Sequence, residues 1–253
     1  MPAPSPSEPD PTRRFSDRAE DYAKYRPGYP PAAFDALLAG LGDPARLVAA
    51  DIGAGTGIST RLLADRGLRV FAVEPNAGMR AAAASHPRIE WRDGTAAATG
   101  LVAAAVDLVL CAQSFHWFDA ALAVREFERI LRPGGRLGLL WNKRDRDDPC
   151  TAGYRQAILD IGGEAPAETI EFDPAVVRAP AFGEVRRFTT PNHQRLLCDG
   201  LIGRAMSASY VPKAGPGHEE LLRRLVALHA RFADAERMVT LRYVTTLFLA
   251  ERA

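Results

Sequence analysis

The sequence predicts an α/β fold built on a doubly wound, mostly parallel sheet, and three observations lead to this class. Short apolar segments alternate with amphipathic ones between residues 46 and 141, which is the pattern of successive βαβ units. The segment Val106–Ala112 is almost entirely apolar, as a strand buried on both faces should be. A glycine-rich turn at residues 53–57 joins the first apolar segment to the amphipathic segment that follows it.

Each element of the first half has a local reason. The helix after the glycine turn stops at Gly67, a residue type that commonly ends helices. The fourth helical segment ends at the Pro-Gly-Gly run of residues 133–135, which cannot continue a helix. We predict strands at 46–52, 69–73, 89–92, 106–112 and 136–141, and helices at 31–41, 58–66, 76–85 and 120–131.

The C-terminal hundred residues follow a different pattern. Residues 239–249 alternate apolar and polar side chains, which predicts a strand. A second late strand is predicted at 185–190, and helices at 151–161, 199–207 and 219–232. The two strands should extend the sheet to seven, and the helices between them should form a cap inserted in the C-terminal part.

The N-terminal residues divide into two parts. Residues 1–12 carry five prolines and are expected to form a disordered tail. From Phe15 to about residue 24 the spacing becomes helical, with Tyr22 and Tyr25 on the same face. We therefore divide the chain into a tail (1–12), N-terminal lid helices (13–45), a ligand-binding core (46–150) and cap helices with the last two strands (151–253).

The composition excludes several classes of protein. Of the 253 residues, 47% are hydrophobic and 25% charged, which allows a sizeable core and argues against disorder. The net charge of +1 gives no general attraction to nucleic acid or to an anionic membrane. The 3 cysteines lie far apart and have no metal-ligand spacing, so no metal is expected. The N-terminus lacks an apolar signal segment, so we expect a cytoplasmic protein.

The glycine turn and the acid after the second strand predict a nucleoside site. Glu74 lies 21 residues after Gly53 (74 − 53), which is about the interval at which a carboxylate meets ribose hydroxyls. A dinucleotide fingerprint would require Gly or Ala where Ile58 stands. Asp51 would repel a pyrophosphate and instead suits a positively charged group such as an ammonium. A nicotinamide dehydrogenase is therefore disfavoured, and the missing Gly-Lys-Ser/Thr excludes a P-loop.

Five motifs in order resemble the class I S-adenosylmethionine-dependent methyltransferases, and more narrowly their small-molecule, type 11 branch. They are DIGAGTG at 51–57, VEP at 73–75, DG at 93–94, DLVLCAQSFHWF at 107–118 and LRPGGR at 131–136. The run YRPGYP at 25–30 resembles the leader of the same branch. The resemblance covers residues 13–145 and implies the Rossmann-like methyltransferase fold.

The resemblance also implies roles for individual residues. Asp51 would hold the amino group of the cofactor, Glu74 both ribose hydroxyls, and Asp93 the adenine amino group. The full set implied to bind the cofactor is Asp51, Gly53, Ala54, Gly55, Gly57, Glu74, Pro75, Asn76, Met79, Asp93, Gly94, Thr95 and Gln113. The residues implied to line the substrate side or the lid are Tyr22, Tyr25, Arg26, His116 and Trp117.

The function implied is methyl transfer from S-adenosylmethionine to a small-molecule acceptor, by a monomer or homodimer, with S-adenosylhomocysteine as product. A carboxylate acceptor needs no base, whereas a phenol or acidic carbon could use His116 or Tyr22. Two alternatives stay open: a cyclisation or other displacement on a sulfonium-bearing substrate, and a non-catalytic cofactor-binding protein. A nucleic-acid methyltransferase is disfavoured, because Gln-Ser-Phe-His at 113–116 replaces the Asn/Asp-Pro-Pro-Tyr/Phe segment.

Overall fold

A computed structural model describes residues 24–163, 172–177, 181–208 and 210–253. Within these residues, seven strands form one sheet in the order β3-β2-β1-β4-β5-β7-β6. The strands are β1 (Val48–Ile52), β2 (Arg69–Val73), β3 (Ile89–Arg92), β4 (Val106–Ala112), β5 (Leu131–Arg144), β6 (Arg186–Leu196) and β7 (Val239–Glu251). The described helices are α1 (Pro31–Leu38), α2 (Ile58–Ala64), α3 (Ala77–Ala81), α4 (Ala120–Ile130), α5 (Pro149–Gly162), α6 (Cys198–Met206) and α7 (Pro216–Phe232).

The direction of the strands places the site. Strands β1 to β5 pair in parallel, and β7 is antiparallel to both β5 and β6. The carboxyl ends of β1, β2, β3 and β4 therefore lie along one edge of the sheet, which is where open α/β sheets bind ligands. The predicted fold class, a seven-stranded and mostly parallel sheet, is confirmed.

Helices cover both faces of the sheet. On one face Phe34 and Leu37 of α1 pack with Leu63 of α2, and on the other Phe127 of α4 fills the core. Gly138 of β5 lets Leu37 of α1 pack directly on the sheet, since a Cβ there would lie 2.5 Å from Leu37 Cδ1. No helix among the described segments is long and apolar enough to cross a bilayer.

A third apolar cluster joins the C-terminal helices to the sheet. Tyr154 of α5, Leu201 of α6 and Leu221 of α7 pack together with Tyr243 of β7. Helices α6 and α7 lie where the sequence predicts a cap, between β6 and β7 in the chain, and α5 packs with them although it precedes β6. They are anchored to the antiparallel end of the sheet and not to its parallel centre.

The boundaries differ most from prediction in β5 and β6, for identifiable reasons, whereas β1 begins two residues late and β7 ends two residues late. Strand β5 begins at Leu131, five residues early, because Leu131 pairs with Val106 across a register irregularity that accommodates the Pro-Gly-Gly run. Strand β6 continues past Pro191 to Leu196, because it lies at the sheet edge and Pro191 needs no partner on its open side. The predicted tail and nearly all of the predicted leader helix lie outside the described residues.

Candidate active site

The glycine turn brings bare backbone to the carboxyl end of β1. Gly53, Gly55 and Gly57 all have positive φ, at 68°, 57° and 80°, a conformation that favours glycine. A Cβ on Gly53 would lie 2.7 Å from the Cβ of Ser114, so a larger residue does not fit. The N–H groups of Gly53 and Ala54 both donate to the carbonyl of Val73, which ties the turn to the end of β2.

Asp51 lies fully buried beneath this turn. Its Oδ2 accepts hydrogen bonds from the hydroxyls of Ser59, at 2.7 Å, and Thr60, at 2.6 Å. Its Oδ1 has no partner, and the buried hydroxyl of Thr56 has none either. Burial raises the pKa of Asp51 to about 6, against the two hydroxyl hydrogen bonds that lower it. The turn therefore holds two polar atoms without partners, as expected where a polar ligand is to be bound.

Glu74 is held rigidly at the end of β2. Its Oε2 accepts from the N–H of Gly55 and its Oε1 from the N–H of Asn76, both at 2.9 Å. Burial raises its pKa, and these two backbone hydrogen bonds oppose the rise. A carboxylate can accept about four hydrogen bonds, so each oxygen keeps capacity for a ligand hydroxyl.

Three further predicted cofactor residues lie just after Glu74. Asn76 caps α3, its Oδ1 accepting from the N–H of Met79 at 3.1 Å. Met79 is buried and Pro75 is half-buried. The short helix therefore lies directly against the strand end that carries Glu74.

The turn after β3 is more open. The side chain of Asp93 is 74% exposed and pairs with Arg80 at 3.3 Å. A Cβ on Gly94 would lie 3.0 Å from Val73 Cγ1, so this turn packs closely on the end of β2. The N–H of Thr95 is bonded to the carbonyl of Ala98. The adenine role of Asp93 stays a prediction, and its oxygens are accessible to a ligand.

The segment after β4 lies beside the glycine turn. Gln113 has φ 58°, unusual outside glycine, and its Nε2 donates to the carbonyl of Asn142 at 3.2 Å. The Ser114 hydroxyl donates to the carbonyl of Ile52 at 2.7 Å. This strained connection fixes the start of the segment that carries His116.

His116 is a neutral hydrogen-bond donor in this arrangement. Its Nδ1 accepts from the indole N–H of Trp141 at 3.3 Å, so the proton of the neutral ring lies on Nε2. That Nε2 is buried and has no partner. Burial lowers the pKa of His116 to about 4. The ring can donate to an acceptor but is a poor base near neutral pH, and its centroid lies 4.8 Å from that of the tilted Trp117 ring.

We expect His116 not to titrate near pH 6.5. Its imidazole signals in NMR should shift only as the pH approaches 4, and folding stability should fall from pH 6.5 towards 4, because the unfolded state takes up the proton first. His116→Gln keeps a donor and should retain most turnover, whereas His116→Phe should lose about tenfold. A titration at pH 6.5 that disappears in His116→Gln would favour the base role.

The residues after the predicted lid helix dock on the cap. Tyr25 lies against α6 at Gly203, where a Cβ would be 2.5 Å from two atoms of its ring. Arg26 donates to the carbonyl of Ser207 at 3.2 Å, and Gln194 donates to the carbonyl of Tyr25 at 2.9 Å. Tyr22, the other predicted lid residue, lies outside the described residues.

Sequence reasoning did not single out three residues of this site. Thr56 has a buried hydroxyl without a partner, Ser114 packs under Gly53, and the Trp141 indole sets the proton position on His116. Thr56 and Ser114 stood inside recognised motifs, so their positions were available as a signal. Trp141 gave no such signal, because it lies on β5 and meets His116, which follows β4, only through the fold.

Known proteins resemble this chain in sequence and in fold. A family model described as a methyltransferase domain, of type 11, matches residues 50–139. An uncharacterized methyltransferase of Mycobacterium bovis is 36% identical over 247 residues, covering 94% of this chain and 96% of that protein. The chain therefore belongs to the class I methyltransferase family, in the type 11 branch.

Solved structures agree on the fold. A protein described as a type II methyltransferase of Anaeromyxobacter dehalogenans has a TM-score of 0.64 and 26% identity, covering 90% of this chain and 98% of its own. A Haemonchus contortus phospholethanolamine N-methyltransferase 2 has a TM-score of 0.55 and 15% identity, covering 95% and 58%. The latter was solved with S-adenosylhomocysteine and phosphomonomethylethanolamine.

Proposed function

We propose that the protein transfers a methyl group from S-adenosylmethionine to a small organic acceptor and releases S-adenosylhomocysteine. The observation that carries the proposal is the pair of buried carboxylates around the glycine turn. Glu74 is oriented by two backbone N–H groups, and Asp51 keeps one oxygen without a partner. One fold neighbour binds S-adenosylhomocysteine, which is in keeping with this cofactor.

The residues present fit the cofactor chemically. Asp51 Oδ1 suits its ammonium, directly or through water, and the oxygens of Glu74 suit its ribose hydroxyls. Ser114 packs where a Cβ on Gly53 would stand, so only glycine allows this form of the turn. Asp93, with its exposed oxygens, would receive the adenine amino group. The sulfonium of the bound cofactor would supply an electrophile that is already activated.

The protein's own contribution is then mainly geometric. Correct orientation in a dry site can supply about 7–11 kcal/mol of the barrier. Gln113 and His116 stand after β4, on the side where the methyl group would be delivered, and Tyr25 with Arg26 closes the cap side. His116 Nε2–H would orient an acceptor oxygen by donation, without removing its proton.

We expect cofactor affinity to fall as the pH drops through 6. Asp51 has a pKa of about 6 in the free protein, and only its ionised form attracts the ligand ammonium. Calorimetry with S-adenosylhomocysteine should therefore show about tenfold weaker binding at pH 5 than at pH 7, by linkage. In Asp51→Asn, affinity at pH 7 should drop and this part of the pH dependence should vanish. Replacement of exposed Asp65, which ends α2, is the matched control. Equal slopes of affinity against pH in wild type and in Asp51→Asn would contradict the assignment of Asp51 to the ligand ammonium.

The deciding experiment is a product assay. A methyl donor with an isotopically labelled methyl group is incubated with the protein and a panel of small acids, phenols and amines, and products are read by mass spectrometry. Labelled product supports methyl transfer. Cleavage of donor or of another sulfonium without label transfer supports the displacement alternative, and binding without any reaction supports a non-catalytic protein. Tight NAD binding without binding of either proposed ligand would remove the assignment altogether.

The remaining expectations are part of the same proposal. The core at 46–150 would hold the cofactor, the segments at 13–45 and 151–253 would cover the acceptor, and the protein would act in the cytoplasm as a monomer or homodimer. Nucleic acid and membranes are not expected as partners, since the net charge is +1.

A further inference from the structure

A buried arginine stands among tyrosines at the junction of cap and sheet. Arg204 of α6 is 4% exposed, and the tyrosines Tyr243, Tyr154 and Tyr210 act on it electrostatically. Its guanidinium donates to the Ser207 hydroxyl at 3.3 Å, while its Nε has no acceptor. Among the described residues, no carboxylate forms an ion pair with it.

This arrangement is costly for a protein without a ligand. A guanidinium is always charged and carries five donors, and a buried charge ordinarily has an ionic partner. Two phenol hydroxyls beside it are also buried: that of Tyr154 has no hydrogen-bond partner, and that of Tyr243 has none besides the Arg204 guanidinium. Three elements, α5, α6 and β7, thus bring unused donors to one place, and all three side chains are more than nine-tenths buried.

The cluster lies on the active-site side of the molecule. Tyr243 is paired in register with Arg144, whose guanidinium lies 5.0 Å over the ring of Tyr154. Arg144 is three residues beyond Trp141, the partner of His116, or about 10 Å along the strand and on its opposite face. It shares that face with Asn142, whose amide donates to the carbonyl of Gly28 in the leader. On its outer side, Tyr25 packs on Gly203, the neighbour of Arg204. The donors therefore lie beside the docked leader, near the end of β5 that extends past Trp141.

We propose that Arg204, Tyr154 and Tyr243 bind an oxyanion of the acceptor, so that the substrate is a small anionic molecule. The inference rests on the proposed methyl transfer and specifies its substrate class. Arginine matches planar oxyanions through paired N–H groups, and two phenol hydroxyls can donate to the remaining lone pairs. The binding energy then comes from an ion pair that the folded protein lacks by itself.

The direct test compares acids with neutral analogues. Wild-type protein saturated with S-adenosylhomocysteine is titrated calorimetrically with succinate, citrate and phosphoserine, each against its neutral amide or deoxy analogue. We expect at least one carboxylate or phosphate to bind, and its neutral analogue to bind about 10²-fold more weakly, as loss of a charge-assisted hydrogen-bonded contact implies. Carboxylates and phosphate esters are separate arms, which identifies the oxyanion.

Conservative variants then assign the residues. Tyr154→Phe and Tyr243→Phe each remove only one hydroxyl, so a purely structural cluster would tolerate them without change in anion affinity. We expect each to weaken anion binding about tenfold and to raise KM more than it lowers kcat. Arg204→Lys should retain part of the affinity that Arg204→Gln loses. Arg223→Gln, at an exposed guanidinium on α7 that pairs with Glu220, is the control.

The outcomes separate this inference from the proposed function. Normal binding of S-adenosylhomocysteine with no preference for anions, or with unchanged affinity in both Phe variants, overturns the oxyanion site and leaves methyl transfer standing. Loss of S-adenosylhomocysteine binding in wild type would instead refute the proposed function. The Phe variants keep the test valid even where Arg204→Gln fails to fold.

Discussion

Glu74→Ala should lose most of its affinity for S-adenosylhomocysteine while the sheet stays folded. Two ribose hydroxyls would lose a charged acceptor worth about 1.5–3 kcal/mol per hydrogen bond. Against an expected micromolar affinity, roughly −8 kcal/mol, that loss takes binding out of the easily measured range. The N–H groups of Gly55 and Asn76 also lose their acceptor, so Tm should fall modestly.

Glu90→Ala provides the matched control for this experiment. Glu90 is a carboxylate on the neighbouring strand β3, but its side chain is 40% exposed and pairs with Arg69 and Arg92. Its removal should change neither affinity nor, beyond a few tenths of a kcal/mol, stability. If Glu74→Ala binds like wild type in calorimetry, Glu74 is not the ribose ligand and the position assigned to β2 in the site is mistaken.

Gly203→Ala should displace the leader and cost most of the turnover. A Cβ at this position would lie 2.5 Å from Tyr25 Cδ2 and Cζ, so the aromatic ring must move. Overpacking of this kind costs about 1–3 kcal/mol, which would release residues 24–28 from α6. Alanine is a better helix former than glycine, so a loss of turnover cannot come from weakening of α6.

The same helix supplies the control for Gly203. At Gly200, a Cβ would meet only the flexible Leu196 side chain, at 3.1 Å, so Gly200→Ala should be active. Deletion of residues 1–12 should be harmless, whereas deletion of residues 1–30 should abolish turnover and leave the sheet folded. Limited proteolysis reads the docking directly: ligands should protect residues 13–26 in wild type and in Gly200→Ala, but not in Gly203→Ala. Absence of protection in wild type would refute the lid.

Local patterns predicted the central sheet well. Strands β2, β3 and β4 begin and end where the apolar segments do, because buried parallel strands need continuous apolar runs. Strand boundaries at the edge and in the antiparallel part of the sheet were harder to predict. The ends of β5 and β6 depend on pairing with distant partners, Val106 and the strand β7, which override a Pro-Gly-Gly run and Pro191.

The residues of the candidate site were likewise predictable only in part. Asp51 and Glu74 were predictable, because each lies at a fixed interval from a recognisable turn. The behaviour of His116 was not, since its proton position and pKa follow from burial and from Trp141 on another strand. The cluster around Arg204 gave no sequence signal, because Tyr154 and Tyr243 lie far from it in the chain and meet it only through the fold.

The position of β7 has a consequence for how the chain acquires its structure during synthesis. Strands β5 and β6 are not hydrogen-bonded to each other; β7, which follows both in the chain, lies between them. Until β7 has left the ribosome, β5 is therefore an open edge and β6 has no place in the sheet. Open edges of this kind invite pairing with other chains. The parallel half can form early, but the nascent protein depends on its latest strand to close the edge and to seat the cap through Tyr243.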